Sequence, residues 1–137
     1  MSDLRITAGS FEFRARWERE AAPKTCAAFE EMLPFGNKII HVRWSGESAW
    51  IPLGDLKTGV DFENHTSHPA PGEVLLYPGG YSETEILFPY GACSFASKAG
   101  PLAGNHFATV VEGGDQLREL GRRCLWEGAQ EIRFVES

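Results

Sequence analysis

The chain holds no Cys-x-x-Cys pair, no apolar run of the roughly 18 residues that a membrane-spanning helix needs, and no basic cluster longer than Arg122-Arg123. Each absence removes a class of protein. The 3 cysteines, Cys26, Cys93 and Cys124, are too widely spaced for a zinc knuckle and too few for a disulfide framework, so reduced thiols are expected. The N-terminus shows no basic-then-apolar signal pattern, which makes the cytoplasm the expected compartment and leaves no membrane partner implied. A formal net charge of −6 without a basic face gives nucleic-acid phosphates nothing to bind. Ser82, Ser94 and Ser97 lack the Gly-x-Ser-x-Gly context of a hydrolase nucleophile. Gly79-Gly80 and Gly113-Gly114 lack the strand-to-helix pattern that cradles phosphate, and both are expected to be turns. There is no internal repeat and no low-complexity tract.

What is there is ordinary globular composition. A length of 137 residues, 42% of them hydrophobic and 23% charged, suits one domain over residues 1–137 with a core that needs neither disulfide nor metal. Leu4-Arg5-Ile6-Thr7 and Phe11 through Trp17 alternate apolar with polar around the turn-like Ala8-Gly9-Ser10, which predicts a hairpin burying Phe11, Phe13, Ala15 and Trp17 on one face. Pro23 suits a first helical turn and Pro34 stops the helix, with Ala22, Cys26, Phe29 and Leu33 on one stripe. Cys26 is then a small core residue, since an apolar stripe opposes thiolate formation.

From Lys38 onward, short strands are broken by glycine and proline: Lys38 to Trp44, Ala49 to Leu53, Glu73 to Tyr77, Glu85 to Phe88, Cys93 to Lys98 and His106 to Val111. Gly54 to Gly72 lacks periodicity and is expected as a long loop. Asp115 can cap a second helix, to Leu125, that buries Leu117, Leu120 and Cys124, and Glu131 to Val135 alternates as a last strand. Many short strands with one early and one late helix predict a mostly β, closed barrel of about eight strands capped by two α-helices.

Four stretches fall in a familiar order: Pro23-Lys24-Thr25 with Phe29, His41-Val42-Arg43, Leu102-Ala103-Gly104-Asn105-His106, and Val110-Val111-Glu112-Gly113-Gly114-Asp115. From about Phe11 to the C-terminus the chain resembles cyclophilins. In detail it is similar to short bacterial cyclophilin-like proteins of unknown function, which share stretches like Arg43-Trp44-Ser45-Gly46 and Tyr77-Pro78-Gly79-Gly80. The resemblance implies a cyclophilin-like barrel and carries the family's catalytic arginine onto Arg43 and its cleft histidine onto His106.

A prolyl isomerase needs few groups, because binding the twisted amide more tightly than either planar isomer lowers the barrier without a nucleophile. A guanidinium can donate to the amide as conjugation is lost, while an apolar floor holds the ring. Arg43 and His106 are the catalytic candidates, and Trp50 and Phe88 the expected floor. The chain also departs from the family. Val42 separates His41 from Arg43, Thr84-Glu85-Ile86-Leu87-Phe88 puts a carboxylate where the family has glutamine, and Pro101 replaces a tryptophan.

These changes favour a ligand-binding barrel mouth lined by Arg43, Trp50, Glu85, Phe88 and His106, taking a small polar or peptide-like molecule that carries an amine or amide. A specialised peptidyl-prolyl isomerase and an oligomeric structural protein without catalysis stay open as alternatives. No cofactor is implied. His65-Thr66-Ser67-His68 is a weak metal motif, since nothing fixes its spacing, and no metal site is expected. Glu83 and Glu85, two apart, would share a strand face and form an acid/base pair if buried together.

Overall fold

The computed structural model describes residues 3–137. The N-terminal hairpin forms as β1 (Leu4–Ala8) and β2 (Phe11–Trp17), followed by α1 (Pro23–Met32), β3 (Phe35–His41) and β4 (Gly46–Gly54). After a long loop that holds the two-residue β5 (His65–Thr66) come β6 (Glu73–Tyr77) and β7 (Thr84–Cys93). A small hairpin of β8 (Ala96–Ser97) and β9 (Gly100–Pro101) leads to β10 (Gly104–Glu112), α2 (Leu117–Trp126) and β11 (Gln130–Glu136).

The strands pair in the order β2-β1-β11-β3-β4-β7-β6-β10, and β10 returns to β2 through Ala108 opposite Trp17 and Val110 opposite Ala15. The result is a closed antiparallel barrel of eight strands with two helices, as the sequence predicts. Closure leaves no long sheet edge unpaired. Among the described residues no helix is long and apolar enough to cross a membrane.

Alternation along each strand fills the barrel. Ile6, Phe13, Ile39, Ile51, Leu76, Ile86, Phe88 and Phe134 point inward and are buried, with the Phe13 and Phe88 rings edge to face at 5.8 Å. The helices close opposite ends. Phe29 of α1 packs on Phe107, Phe134 and Phe35 at centroid distances of 4.9, 5.2 and 5.7 Å. Leu117, Leu120 and Cys124 of α2 are buried in the same core, whose other-end residues include Ile39 and Tyr90. Of the expected α1 stripe, Ala22, Cys26 and Phe29 are fully buried and Leu33 partly so.

Three local expectations are corrected. The strand expected from Lys38 to Trp44 runs instead from Phe35 to His41, because residues 42–45 leave the sheet to form a turn onto β4. The strand expected from Cys93 to Lys98 is the end of β7 and then a loop, in which only Ala96 and Ser97 pair, with Pro101 and Gly100. Asp115 does not cap α2. It sits in a 3-10 turn over Gly114–Gln116, entered through Gly113 at φ +89°, and among the described residues no side chain caps the helix.

The N-terminus of α1 is held from far away. Its N-cap position is Ala22, which has no side-chain acceptor, and Glu63 of the long loop supplies one, accepting from the Thr25 backbone N–H at 2.6 Å and the Thr25 hydroxyl at 2.8 Å. Asn105 of β10 completes the network, donating to the Thr25 hydroxyl at 3.0 Å and to the Asp61 carbonyl at 2.9 Å. The loop is thereby tied to both a helix end and a barrel strand.

Candidate functional site

The same alternation gives the barrel a patterned outer wall. Ile86 and Phe88 of β7 face inward, so Glu85 and Leu87 face outward. Leu87 pairs with Leu75 on one side and Trp50 on the other, and Trp50 pairs with Ile40. Over this wall lies the segment from Cys93 to Leu102, whose Phe95 and Leu102 bury Leu75, Tyr77 and Leu87 in a second apolar cluster outside the barrel, with Trp50 packed at its margin.

Beside that cluster a cleft of about 260 Å³ opens, lined by Arg43, Trp44, Trp50, Glu83, Glu85 and Lys98 among others. It lies on the outer wall of the barrel. The expectation of a site in the barrel mouth is corrected accordingly, because both ends of the barrel are closed by α1 and α2.

Its walls are pinned by hydrogen bonds from three directions. The Ser45 hydroxyl donates to the Ala96 carbonyl at 3.1 Å and accepts from the Ala96 N–H at 3.0 Å, clasping the β3–β4 turn to the covering segment. The Tyr77 phenol oxygen accepts from the N–H groups of Tyr81 and Ser82, both at 3.1 Å. Glu83 accepts from the Gly54 N–H at 3.2 Å, and the Thr84 hydroxyl donates to the Leu56 carbonyl at 2.8 Å. The turn before Thr84 requires Gly79, at φ +89°, where a Cβ would stand 2.7 Å from the Thr84 hydroxyl.

Within this frame Glu85 is unusual. The residue is 6% exposed, and among the described residues its carboxylate has no hydrogen-bond or ion-pair partner. Burial, with the Glu83 charge adding to it, pushes its pKa up to about 8. Desolvation disfavours the ionised form when nothing in the protein replaces its water. Arg43 is exposed, with its guanidinium 5.8 Å from the Trp44 ring centroid, and it forms no ion pair with Glu85.

Three of the five expected site residues, Arg43, Trp50 and Glu85, therefore meet in one cleft. Phe88 does not join them. It is wholly buried inside the barrel, three positions from Glu85 and hence on the opposite face of β7. His106 also lies elsewhere. It faces outward from β10 opposite Leu75, three strands from Trp50, and its Nε2 sits 2.7 Å from the Thr109 hydroxyl, which donates to Glu18 at 2.6 Å.

Sequence reasoning did not place Lys98 and Ser45 at the site. Both stand in loops that only the tertiary fold brings over the wall, and the one local signal was the Ser45-Gly46 turn. The cysteines take no part, since burial pushes Cys26 and Cys124 up to about 11 and raises Cys93 as well. Among the described residues no group of three or more His, Cys, Asp or Glu could hold a metal ion, and His65 and His68 belong to no such group.

The family model described as "Protein of unknown function (DUF3830)" matches residues 4–136. The chain belongs to the DUF3830 family. No curated protein matches its sequence. Solved structures that share the fold of this DUF3830 member include the following two. One is McbB in complex with tryptophan, at a TM-score of 0.72 and 20% identity, covering 96% of this chain and 44% of McbB. The other is the hypothetical protein AF2241 from Archaeoglobus fulgidus, at a TM-score of 0.63 and 18% identity, covering 99% of this chain and 95% of that one. The chain thus spans less than half the length of McbB, and at these identities the likeness is one of fold.

Proposed function

We propose that this cyclophilin-like barrel binds a small polar or peptide-like ligand in its outer-wall cleft, with Glu85 as the anchoring group and Trp50 as the apolar wall. The observation that carries this reading is Glu85, a residue 6% exposed whose carboxylate lines the cleft and has no partner among the described residues, while the cleft walls are fixed by hydrogen bonds. A buried, perturbed acid in a cleft is where specific recognition or chemistry concentrates. That the similarly folded McbB was solved with tryptophan bound supports a small-molecule ligand over a macromolecular one.

Small-ligand binding is favoured over X-Pro isomerisation by two placements. Phe88 is inside the barrel and His106 is three strands from Trp50, so neither can line a proline pocket with Arg43. The test is a fragment screen followed by protein NMR, reading the Trp50 indole and Arg43 guanidinium resonances. Fragments that shift these signals while leaving His106 unmoved support the reading. A chemically diverse library that moves neither signal overturns it.

A further inference from the structure

The lining of the cleft narrows the chemistry of what it holds. Among the described residues the Glu85 carboxylate on the cleft wall has no protein partner, nor has the buried Nδ1 of His41 in the same lining, and a second carboxylate, Glu83, lies close enough to raise the Glu85 affinity for protons. Burying a carboxylate in this way is costly unless a cation or a donor joins it. Among the described residues the protein's own cations do not do so. Arg43 lies near the Trp44 ring and Lys98 is exposed at the rim, and neither is paired with Glu85.

A metal ion is a poor candidate for the missing cation. Only two carboxylates line the cleft, one exposed and already bonded to the Gly54 N–H, and among the described residues no group of three ligating side chains exists. Ile40, Val42, Trp44 and Trp50 give the lining an apolar and aromatic part beside the acids, next to His41 and three serines. Indole faces attract organic cations, and flat apolar bodies pack against them.

From this juxtaposition, and resting on the reading of the cleft as a ligand site, we infer that the ligand class is a primary ammonium on a flat apolar body, the ammonium pairing with Glu85 and the body lying against Trp50. Arg43 and Lys98 also line the cleft, and both are exposed, where solvent screens their charge. The titratable and charged groups around the Glu85 carboxylate are Glu83 before its own strand, Tyr77 opposite it on β6, Arg43 and His41 from the end of β3 and its turn, and Lys98 from the covering segment, while β4 contributes Trp50 and no charge.

The experiment compares phenethylamine, phenethyl alcohol and 3-phenylpropionate by isothermal titration calorimetry and by the Trp50 and Arg43 NMR signals, on the wild-type chain and on Glu85→Gln. Phenethylamine is expected to bind tightest and to lose roughly 10- to 100-fold in affinity in Glu85→Gln, the worth of a charge-assisted contact. The two other probes should be unchanged or improved by that substitution. Because Glu85 must give up its proton to pair with the ammonium, amine affinity should rise up to about tenfold per pH unit as pH approaches 8, and Glu85→Gln should abolish that rise.

Equal binding of 3-phenylpropionate and phenethylamine, or amine binding that Glu85→Gln leaves intact, overturns the ammonium assignment while the cleft stands as a ligand site. If no probe and no library fragment moves the Trp50 or Arg43 signals, the cleft reading fails, and this inference with it.

Discussion

His106 and Trp50 stand in one row across the outer wall of the barrel, with Leu75 and Leu87 between them in the register His106–Leu75–Leu87–Trp50. Three strand spacings put them roughly 14 Å apart. Phe95 and Leu102 pack over the two leucines, so an apolar ridge separates the cleft from the imidazole. On the far side of that ridge His106 joins a closed set of partners, Thr109 and then Glu18. Burial pushes the Glu18 carboxyl upward, but hydrogen bonds from Thr109 and Arg16 outweigh it and hold the group below the usual range.

The ridge makes the two clusters separable by mutation. Trp50→Ala is expected to weaken phenethylamine binding by tenfold or more through lost apolar and cation–π contact, whereas His106→Gln should change it less than twofold. Calorimetry on the two single variants decides the point. An equal loss in both would mean that His106 and Trp50 share one site.

The Glu85 carboxyl also writes itself into the pH dependence of stability. Its pKa is raised on folding from 4.5 to about 8, so the folded state holds the proton more tightly than the unfolded chain does. The sign follows from linkage. Below pH 4.5 both states are protonated and the group costs nothing, and as pH rises toward 8 the chain loses about 1.4 kcal/mol per unit, a loss that levels off above the folded value. Glu85→Gln removes the ionisable group. Urea denaturation should show it a few kcal/mol more stable than wild type at pH 8 and level with wild type near pH 4, and a variant less stable at pH 8 would refute this account.

Much of this was legible beforehand, and the illegible parts have specific causes. The strict alternation of Phe11 through Trp17 and the stripes Ala22-Cys26-Phe29 and Leu117-Leu120-Cys124 face the core as their periods require. Even the separation of Glu85 from Phe88 is latent in the sequence, because residues three apart on a strand face opposite ways. Period alone does not say which face is the interior of a closed barrel, and that is where the expectation of a site in the mouth went astray. The distance from His106 to Arg43 depends on the strand order β3-β4-β7-β6-β10, which no local pattern encodes. Lys98 reaches the cleft only because Phe95 and Leu102 bind their loop to the outer wall.

A second non-local dependence is the cap of α1. Glu63 lies 38 residues beyond Thr25 in the chain and satisfies two of its donors, at a helix end where a negative charge is also favoured by the aligned peptide dipoles. Glu63→Ala should cost about 1 to 2 kcal/mol, the usual worth of an N-cap. Amide hydrogen exchange should accelerate at Thr25 and through residues 61–66, whose loop loses its anchor on the helix. Exchange confined to the helix would mean that Asn105 alone holds the loop.

The other end of the barrel depends on a missing side chain. Gly121 in the middle of α2 lies against Tyr90, and a Cβ there would stand 2.3 Å from the Tyr90 ring, far inside contact distance. Alanine is the better helix former by about 1 kcal/mol, so Gly121→Ala sets helix propensity against overpacking. Overpacking wins. Tyr90 is 8% exposed and its ring is flanked by that of His41 at 6.3 Å, which leaves α2 to shift outward at a cost of about 1 to 3 kcal/mol. The net expectation is a lower thermal midpoint for Gly121→Ala. Placing the same change in a Tyr90→Ala background removes the clash and leaves only the gain in helix propensity, so the sign should reverse and the double-mutant cycle should be strongly non-additive. Destabilisation of equal size in both backgrounds would show that Gly121 is needed for a reason other than the approach of Tyr90.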